Sequence, residues 1–579
     1  MTATSAQVEK HTSRLAKYLP IVGWLPGYNH ANLRPDVIAA VTVASFSVPE
    51  SMAYAGLAGL PPEAGLYAGV AAPIVYAIFG TSRQLGIGAT SALSILVASS
   101  IGALAANDAG QYAALAALLA LLVGAVSIIA WLLRLGFLVN FISESVLTGF
   151  SAGAALYIAS TQLGKLFGIE GAGGEFFERI SYIIRHLDET SGLTLAVGAA
   201  AIVILLLGER FAEKLPWSLI VVLLSILVIS VTNLEERGVA ITGDIPSGLP
   251  VPTVPNVELG DITALLPAAM AVFLLSYVEG MGAVQTFAKE HRYRADANQE
   301  LLALGASNAA SGLFQAFPVG GSMSRSAVSN GAGAKTPLAS LGTGVLVAVV
   351  ALFLTGLFHN LPEAVLGAVV IVAVKGLFKT PALRRLYQVS RVEFWIAMAA
   401  LAGVLLFGML EGVLIGAVIS LLLLVYRASR PTTALLGRVP GSSTYSDLAR
   451  HPENEVIPDV LLYRVDSGLF YANVPNVKEN LEQLIDEQDA PPKLVIFDLS
   501  SSPSVDLAAT DMFGEIYDEL ATRGIELRLA NVDGPVRDML RQAGMTARFG
   551  ELGPDLTILE VVEVWRAEQA GARRSQTTS

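Results

Sequence analysis

The sequence predicts a polytopic α-helical membrane protein, built as two inverted repeats of seven spans and followed by a small soluble α/β domain. Three observations carry this. The 579-residue chain is 53% hydrophobic and 15% charged, whereas soluble domains are about a quarter charged. The charges are unevenly spread: the stretch from Leu33 to Val425 has long runs with almost none, and from Arg427 onward the composition is that of a soluble domain. Short motifs also recur in the same order seven spans apart.

Residues 1–36 form a polar lead-in carrying Lys10, Arg14 and Lys17, with no apolar run of the kind a removable signal peptide needs. Windows of about 20 apolar residues then give fourteen candidate spans. Seven lie near 37–58, 63–80, 89–107, 112–133, 141–163, 193–208 and 216–233, within a first repeat over 37–235. An acidic external loop over 236–263 follows. The other seven lie near 264–286, 298–317, 322–340, 342–359, 362–378, 393–409 and 411–427, within a second repeat over 264–428. Arg83, Arg134, Arg210, Lys214, Lys289, Arg292, Arg294, Lys375, Lys379, Arg384, Arg385 and Arg391 all fall on one side of this count. By the positive-inside rule that side is cytoplasmic, as are both termini; Lys165, Arg179 and Arg185 are a weak exception.

The repeat rests on three pairs. Glu50 in the first span matches Glu279 in the eighth. Gly88-Ala-Thr-Ser-Ala-Leu-Ser opens the third span and Gly320-Gly-Ser-Met-Ser-Arg-Ser the tenth. Glu144-Ser-Val-Leu-Thr opens the fifth and Glu363-Ala-Val-Leu-Gly the twelfth. An odd number of spans per copy inverts the second copy across the membrane, the organisation of secondary transporters with a site at the midplane.

A linker over 429–454 is expected to lead to the soluble domain over 455–568 and a disordered tail over 569–579. Strands at 459–465, 494–499 and 525–530 alternate with helical patterns, such as the shared face of Phe513, Ile516, Tyr517 and Leu520.

Composition excludes several functions. There is no cysteine, so thiolate catalysis and Cys-ligated metals are ruled out, and the six histidines show no ligand spacing. A net charge of −12 argues against nucleic acid. Neither an enzymatic activity nor a cofactor is expected.

The chemistry sits in the glycine- and hydroxyl-rich segments. A break there exposes the backbone N–H groups of a helix N-terminus, which carries about half a positive charge and binds anions. Thr90, Ser91, Ser322 and Ser324 add hydroxyl donors at the third and tenth spans, and Tyr54 lies one turn after Glu50. Arg325, charged within a span, is expected to raise the potential at an anion site. Glu50, just after the helix-kinking Pro49, and its counterpart Glu279 are the proton-coupling candidates, because apolar surroundings favour the protonated form of a carboxylate. Glu50 is the preferred one. Structural alternatives stay open: small residues that only permit close helix packing, Arg325 paired with an intramembrane carboxylate, and glutamates held neutral in hydrogen bonds.

The chain resembles the SulP family, the solute carrier 26 family of anion transporters. The resemblance is carried by Pro49-Glu-Ser-Met-Ala-Tyr-Ala, Gly65-Leu-Tyr-Ala, Tyr76-Ala-Ile-Phe-Gly-Thr-Ser-Arg, Asn298-Gln-Glu-Leu, Gly321-Ser-Met-Ser-Arg-Ser and Gly333-Ala-Lys-Thr-Pro-Leu. From Leu469-Phe-Tyr-Ala-Asn onward the tail is similar to a STAS domain. The resemblance implies core and gate domains and an anion held between the N-termini of the third and tenth spans. It also implies homodimers with cytoplasmic STAS domains. Many members have Gln at the position of Glu50, and an acid there suits proton coupling. Glu279 and Ala283 replace the Asp and Thr that sodium-coupled members use, and Asp506-Leu-Ala-Ala lacks the phosphorylated serine of anti-sigma-factor antagonists. The leading expectation is proton-coupled symport of sulfate, a dicarboxylate or bicarbonate across the cytoplasmic membrane. An exchanger or uncoupled conductor of the same fold, and a membrane sensor signalling through the STAS domain, remain as alternatives.

Overall fold

A computed structural model describes residues 18–102, 104–105, 108–137, 143–171, 174–212, 215–232, 234–553 and 556–577. Lys10, Arg14, Lys17, Lys214 and the last two residues of the expected tail lie outside them. The chain divides into two compact units, one up to Ser420 and one from Leu421 onward.

The first copy of the repeat in the membrane unit comprises α1 (Leu33–Leu57), α2 (Pro62–Phe79), β1 (Gly86–Gly88), α3 (Ser91–Ile101), α4 (Ala109–Leu132), α5 (Glu144–Phe167), α6 (Phe176–Arg185), α7 (Gly192–Phe211) and α8 (Trp217–Thr232). The second comprises α9 (Leu259–Glu290), α10 (Ala297–Leu313), β2 (Gly320–Ser322), α11 (Met323–Gly331), α12 (Leu338–Phe353), α13 (Glu363–Lys375), α14 (Thr380–Val389), α15 (Arg391–Phe407) and α16 (Met409–Ser429). The copies match element for element, including a short strand before the third helix and a short amphipathic helix in sixth place. Packing obeys the same exchange. α4 lies on α10 as α12 lies on α2, and α15 lies on α5 as α7 lies on α13.

Two bundles follow from these contacts. α1–α4 pack with α9–α12 to form the core, while α5, α7, α8, α13 and α15 pack together as the gate. Among the described residues, six helical stretches are by themselves long and apolar enough to cross a bilayer. At 1.5 Å per residue, α4 with its 24 residues reaches about 36 Å, enough for a hydrocarbon layer of about 30 Å. The Asp108 carboxylate caps it, accepting from Gly110 N at 2.8 Å and Gln111 N at 3.2 Å.

α3 and α11, with 11 and 9 residues, reach only about 14–17 Å and so end inside the layer. The strands before them supply the missing backbone hydrogen bonds by pairing with each other, antiparallel, with Gly86 opposite Ser322 and Gly88 opposite Gly320. Asn308, fully buried, accepts from Val319 N at 2.9 Å and donates to Val319 O at 2.9 Å, and Ser311 Oγ donates to Phe317 O at 2.6 Å. These side chains satisfy the backbone on the approach to β2. Glycine is required at the crossing, because a Cβ on Gly321 would lie 2.6 Å from Gly280 Cα, and one on Gly88 would collide with Nη1 of Arg325.

Residues 236–263, the expected external loop, are tied down by main-chain bonds from Thr242 N to Leu361 O (2.8 Å), Gly248 N to Ala351 O (2.9 Å) and Thr253 N to Leu313 O (2.8 Å).

The second unit holds a five-stranded sheet ordered β4-β3-β5-β6-β7, formed by β3 (Thr433–Arg438), β4 (Tyr445–Asp447), β5 (Val460–Val465), β6 (Leu494–Asp498) and β7 (Glu526–Ala530). β5, β6 and β7 run parallel, while β3 joins β5 antiparallel with Thr433 opposite Val465. Residues 429–454, read from sequence as a linker, therefore contribute two strands. Parallel strands are covered on both faces. Here α17 (Val474–Asp486) and α18 (Leu507–Thr522) bury Leu481, Phe513 and Ile516 against Phe497 on one face. α20 (Ile558–Thr577), which follows α19 (Gly534–Gln542), buries Val561 and Trp565 on the other. α20 runs helical to Thr577, through most of the segment expected to be a disordered tail. Thr510, four residues after Asp506, is fully buried and its hydroxyl donates to Leu507 O at 2.7 Å.

Candidate anion site

The two half-helices point their N-termini at one cavity of about 360 Å³. Each is capped by a hydroxyl three residues back: Thr90 Oγ1 accepts from Leu93 N at 3.4 Å, and Ser322 Oγ accepts from Arg325 N at 3.3 Å. The first turns leave the N–H groups of Ser91, Ala92, Met323 and Ser324 without helical acceptors, and all four residues line the cavity. Ser322 and Ser324 hydroxyls lie 3.0 Å apart. The site thus offers backbone and hydroxyl donors at two half-positive helix ends, a ready anion receptor.

Of the residues named from sequence, Tyr54, Thr90, Ser91, Ser322, Ser324 and Glu279 line this cavity, and Glu50 and Arg325 do not. Instead, Arg325 Nε donates to Glu50 Oε2 at 3.1 Å, with each side chain 2% exposed. Arg325 Nη2 also donates to Ala89 O, directly before the Thr90 cap, and Tyr54 OH donates to Glu50 Oε1 at 2.9 Å. The sequence placed the arginine's charge at the anion and Glu50 beside it. Tertiary packing gives each to the other, because two buried charges separated by one helix-to-helix contact attract far more strongly than either attracts across water. Glu50 instead lines a second cavity of about 240 Å³ with Thr42, Phe46, Glu209, Trp217 and Ser218.

Glu279 is in the opposite situation: among the described residues no ion pair or hydrogen bond engages its carboxylate. Sequence reasoning overlooked Lys379 and Ser151, which also line the anion cavity. Lys379 entered only as a marker of topology. It follows the end of α13, and nothing in its local pattern points inward. Leu147 and Ser151 come from the N-terminal part of α5, and Ala373, Gly376, Leu377 and Lys379 from the basic C-terminal end of α13 and the segment after it. At the opposite ends Lys165 Nζ and Glu363 Oε2 are 3.4 Å apart.

An inverted pair of broken spans, with helix ends converging on one cavity between two bundles, defines a membrane transporter for anions. The comparisons specify which. Residues 33–400 match the sulfate permease family and residues 451–558 the STAS domain, and the chain belongs to the sulfate permease family of anion transporters. A probable sulfate transporter of Mycobacterium tuberculosis is 36% identical over 94% of this chain and 98% of its own length. The chloroplastic sulfate transporter 4.1 of Arabidopsis thaliana is 33% identical over 92% of this chain and 80% of its own. The murine solute carrier 26 member A9 anion transporter, solved inward-facing, shares the fold with a TM-score of 0.86 at 23% identity, covering 98% of this chain and 96% of that one.

Proposed function

We propose that the chain is a secondary active transporter that moves sulfate together with a proton across the cytoplasmic membrane by alternating access. The anion sits between the N-termini of α3 and α11, held by Thr90, Ser91, Ser322, Ser324 and Tyr54. The observation that carries this reading is the Glu279 carboxylate, which no ion pair or hydrogen bond engages among the described residues, in a cavity otherwise built to receive an anion.

Charge counting supports a dianion with a proton. The two helix ends supply about one positive charge together and Lys379 a second, while the Glu50–Arg325 pair is neutral. With Glu279 protonated, a doubly charged anion is compensated; with Glu279 ionised, it faces a repelling neighbour. Proton and anion therefore favour each other's binding, and by reciprocity to the same extent. This moves the coupling role from Glu50, whose charge Arg325 already compensates, to Glu279. Arg325, compensated by Glu50, supports the site through its hydrogen bond to Ala89 O directly before the Thr90 cap. The names of the relatives support sulfate as the substrate. The basic ends of the helices support a cytoplasmic N-terminus and a cytoplasmic STAS domain, and the fold shared with solute carrier 26 supports a homodimer.

The test is labelled-sulfate uptake into proteoliposomes with an acidic exterior. Accumulation beyond equilibrium is expected, rising as external pH falls. Glu279→Gln should still bind sulfate and exchange it but lose accumulation. Wild-type uptake indifferent to the proton gradient would refute symport.

A further inference from the structure

We propose that Lys379 is the gate-side charge that makes coupling obligatory, by pairing with Glu279 when the carrier is empty and with the anion when it is loaded. The inference rests on the symport reading. Its basis is two opposite charges that line one cavity from core and gate, with no ion-pair or hydrogen-bond contact to either side chain among the described residues. Glu279 lies on α9 in the core. Lys379 lies just beyond α13 in the gate, is exposed, and lines the same cavity. Among the described residues no carboxylate pairs with its ammonium. Lys375, one turn earlier, is already engaged, with Nζ 3.5 Å from Glu209 Oε2. Tyr54 is the one other titratable side chain in the described lining, and its hydroxyl is committed to Glu50.

Alternating access requires the core and gate to close over this cavity and expel its water. An unbalanced charge resists that step, because desolvating an unpaired ion is far more costly than desolvating a neutralised one. Four states follow. The empty carrier with Glu279 ionised holds one negative and one positive side chain, so it can close and return. The carrier with a proton and an anion has Glu279 neutral and Lys379 on the anion, so it too can close. A proton alone leaves Lys379 without a counter-charge. An anion alone sets Glu279 and the anion in competition for one ammonium. Only "both" and "neither" are permitted, which is the rule of symport.

Replacing Lys379 with a neutral residue changes which states are balanced. The protonated, anion-free carrier then holds no charged side chain in the cavity and is free to close, so protons should slip through without sulfate. Full-length protein in proteoliposomes, with a pH-sensitive dye inside and an imposed pH gradient, reads this directly. Lys379→Gln and Lys379→Met should raise sulfate-independent proton flux at least tenfold over wild type and lower sulfate accumulation by a similar factor. Lys379→Arg should restore tight coupling. The double variant Glu279→Gln/Lys379→Gln should carry no proton leak, because the slipping proton travels on Glu279. Sulfate-dependent proton flux in the wild type tests the symport reading separately. With that flux present, Gln and Met variants that stay as tightly coupled as wild type overturn the role of Lys379. So does a leak that persists in the double variant.

Discussion

The ion pair behind the anion cavity makes the sharpest prediction about the membrane unit. Glu50 and Arg325 meet at 3.1 Å with side chains 2% exposed. Two unit charges about 4 Å apart attract by about 4 kcal/mol at an effective permittivity of 20, and removing one member of a buried pair typically destabilises by about 3–5 kcal/mol. Arg325→Gln and Glu50→Gln should therefore each lower the thermal midpoint of the purified protein. The double variant, which strands no charge, should recover at least half of the loss. Sulfate affinity should separate the two single variants. Glu50→Gln frees the guanidinium beside Ala89 and the Thr90 cap, and should tighten binding by about tenfold, or ~1.4 kcal/mol. Arg325→Gln leaves a carboxylate in its place and should weaken binding. Thermal unfolding followed by tryptophan fluorescence and calorimetric titration with sulfate measure both quantities. An Arg325→Gln protein as stable as wild type but unable to bind sulfate would refute the pair and make Arg325 a direct anion ligand.

Four further outcomes are expected. Asp36 is 1% exposed and accepts from Lys335 N (2.7 Å), Thr336 N (3.1 Å), Thr336 Oγ1 (2.7 Å) and Tyr28 OH (3.1 Å). Asp36→Ala should therefore destabilise by about 3 kcal/mol or more, the sum of two or so charge-assisted bonds, read as a large fall in thermal midpoint. Gly321→Ala pushes a Cβ to 2.6 Å from Gly280 Cα; an overpacking penalty of about 1–3 kcal/mol and loss of sulfate binding should appear together in the same two assays. Thr510→Glu places a charge at a fully buried position and should unfold the STAS domain, seen as lost β-sheet signal in circular dichroism of the isolated domain. Truncation after Arg430 removes the sheet that begins at Thr433 and should leave sulfate affinity within about threefold; a monodisperse truncated protein that no longer binds would contradict the confinement of the site to the membrane unit.

Whatever depends on composition and order along the chain was legible in the sequence. Long apolar windows marked the spans, because a bilayer rejects charge and demands about 20 apolar residues. The repeat was legible because inversion preserves order: Glu50 and Glu279, and the two Gly-Ser segments, keep their places in each copy. Those segments also disclosed the half-helices, because glycine and serine runs are poor lipid-facing helix and good cap chemistry. The cap residues Thr90 and Ser322 occupy the N-cap positions that their residue types favour. The extent of the second domain was less legible. Thr433–Arg438 is a short strand whose identity depends on pairing with Tyr445–Asp447 on one side and with Val460–Val465, more than twenty residues away, on the other. Which charge meets which was decided by tertiary structure alone. Glu50 and Arg325 are 275 positions apart, and no local pattern distinguishes an arginine aimed at a cavity from one aimed at a carboxylate behind it. Lys379 shows the converse: an ordinary basic residue after a span becomes part of the site because α13 ends beside α9. Coulomb forces act through space and low permittivity rather than along the chain. The sequence could supply the charges, and the fold had to choose their partners.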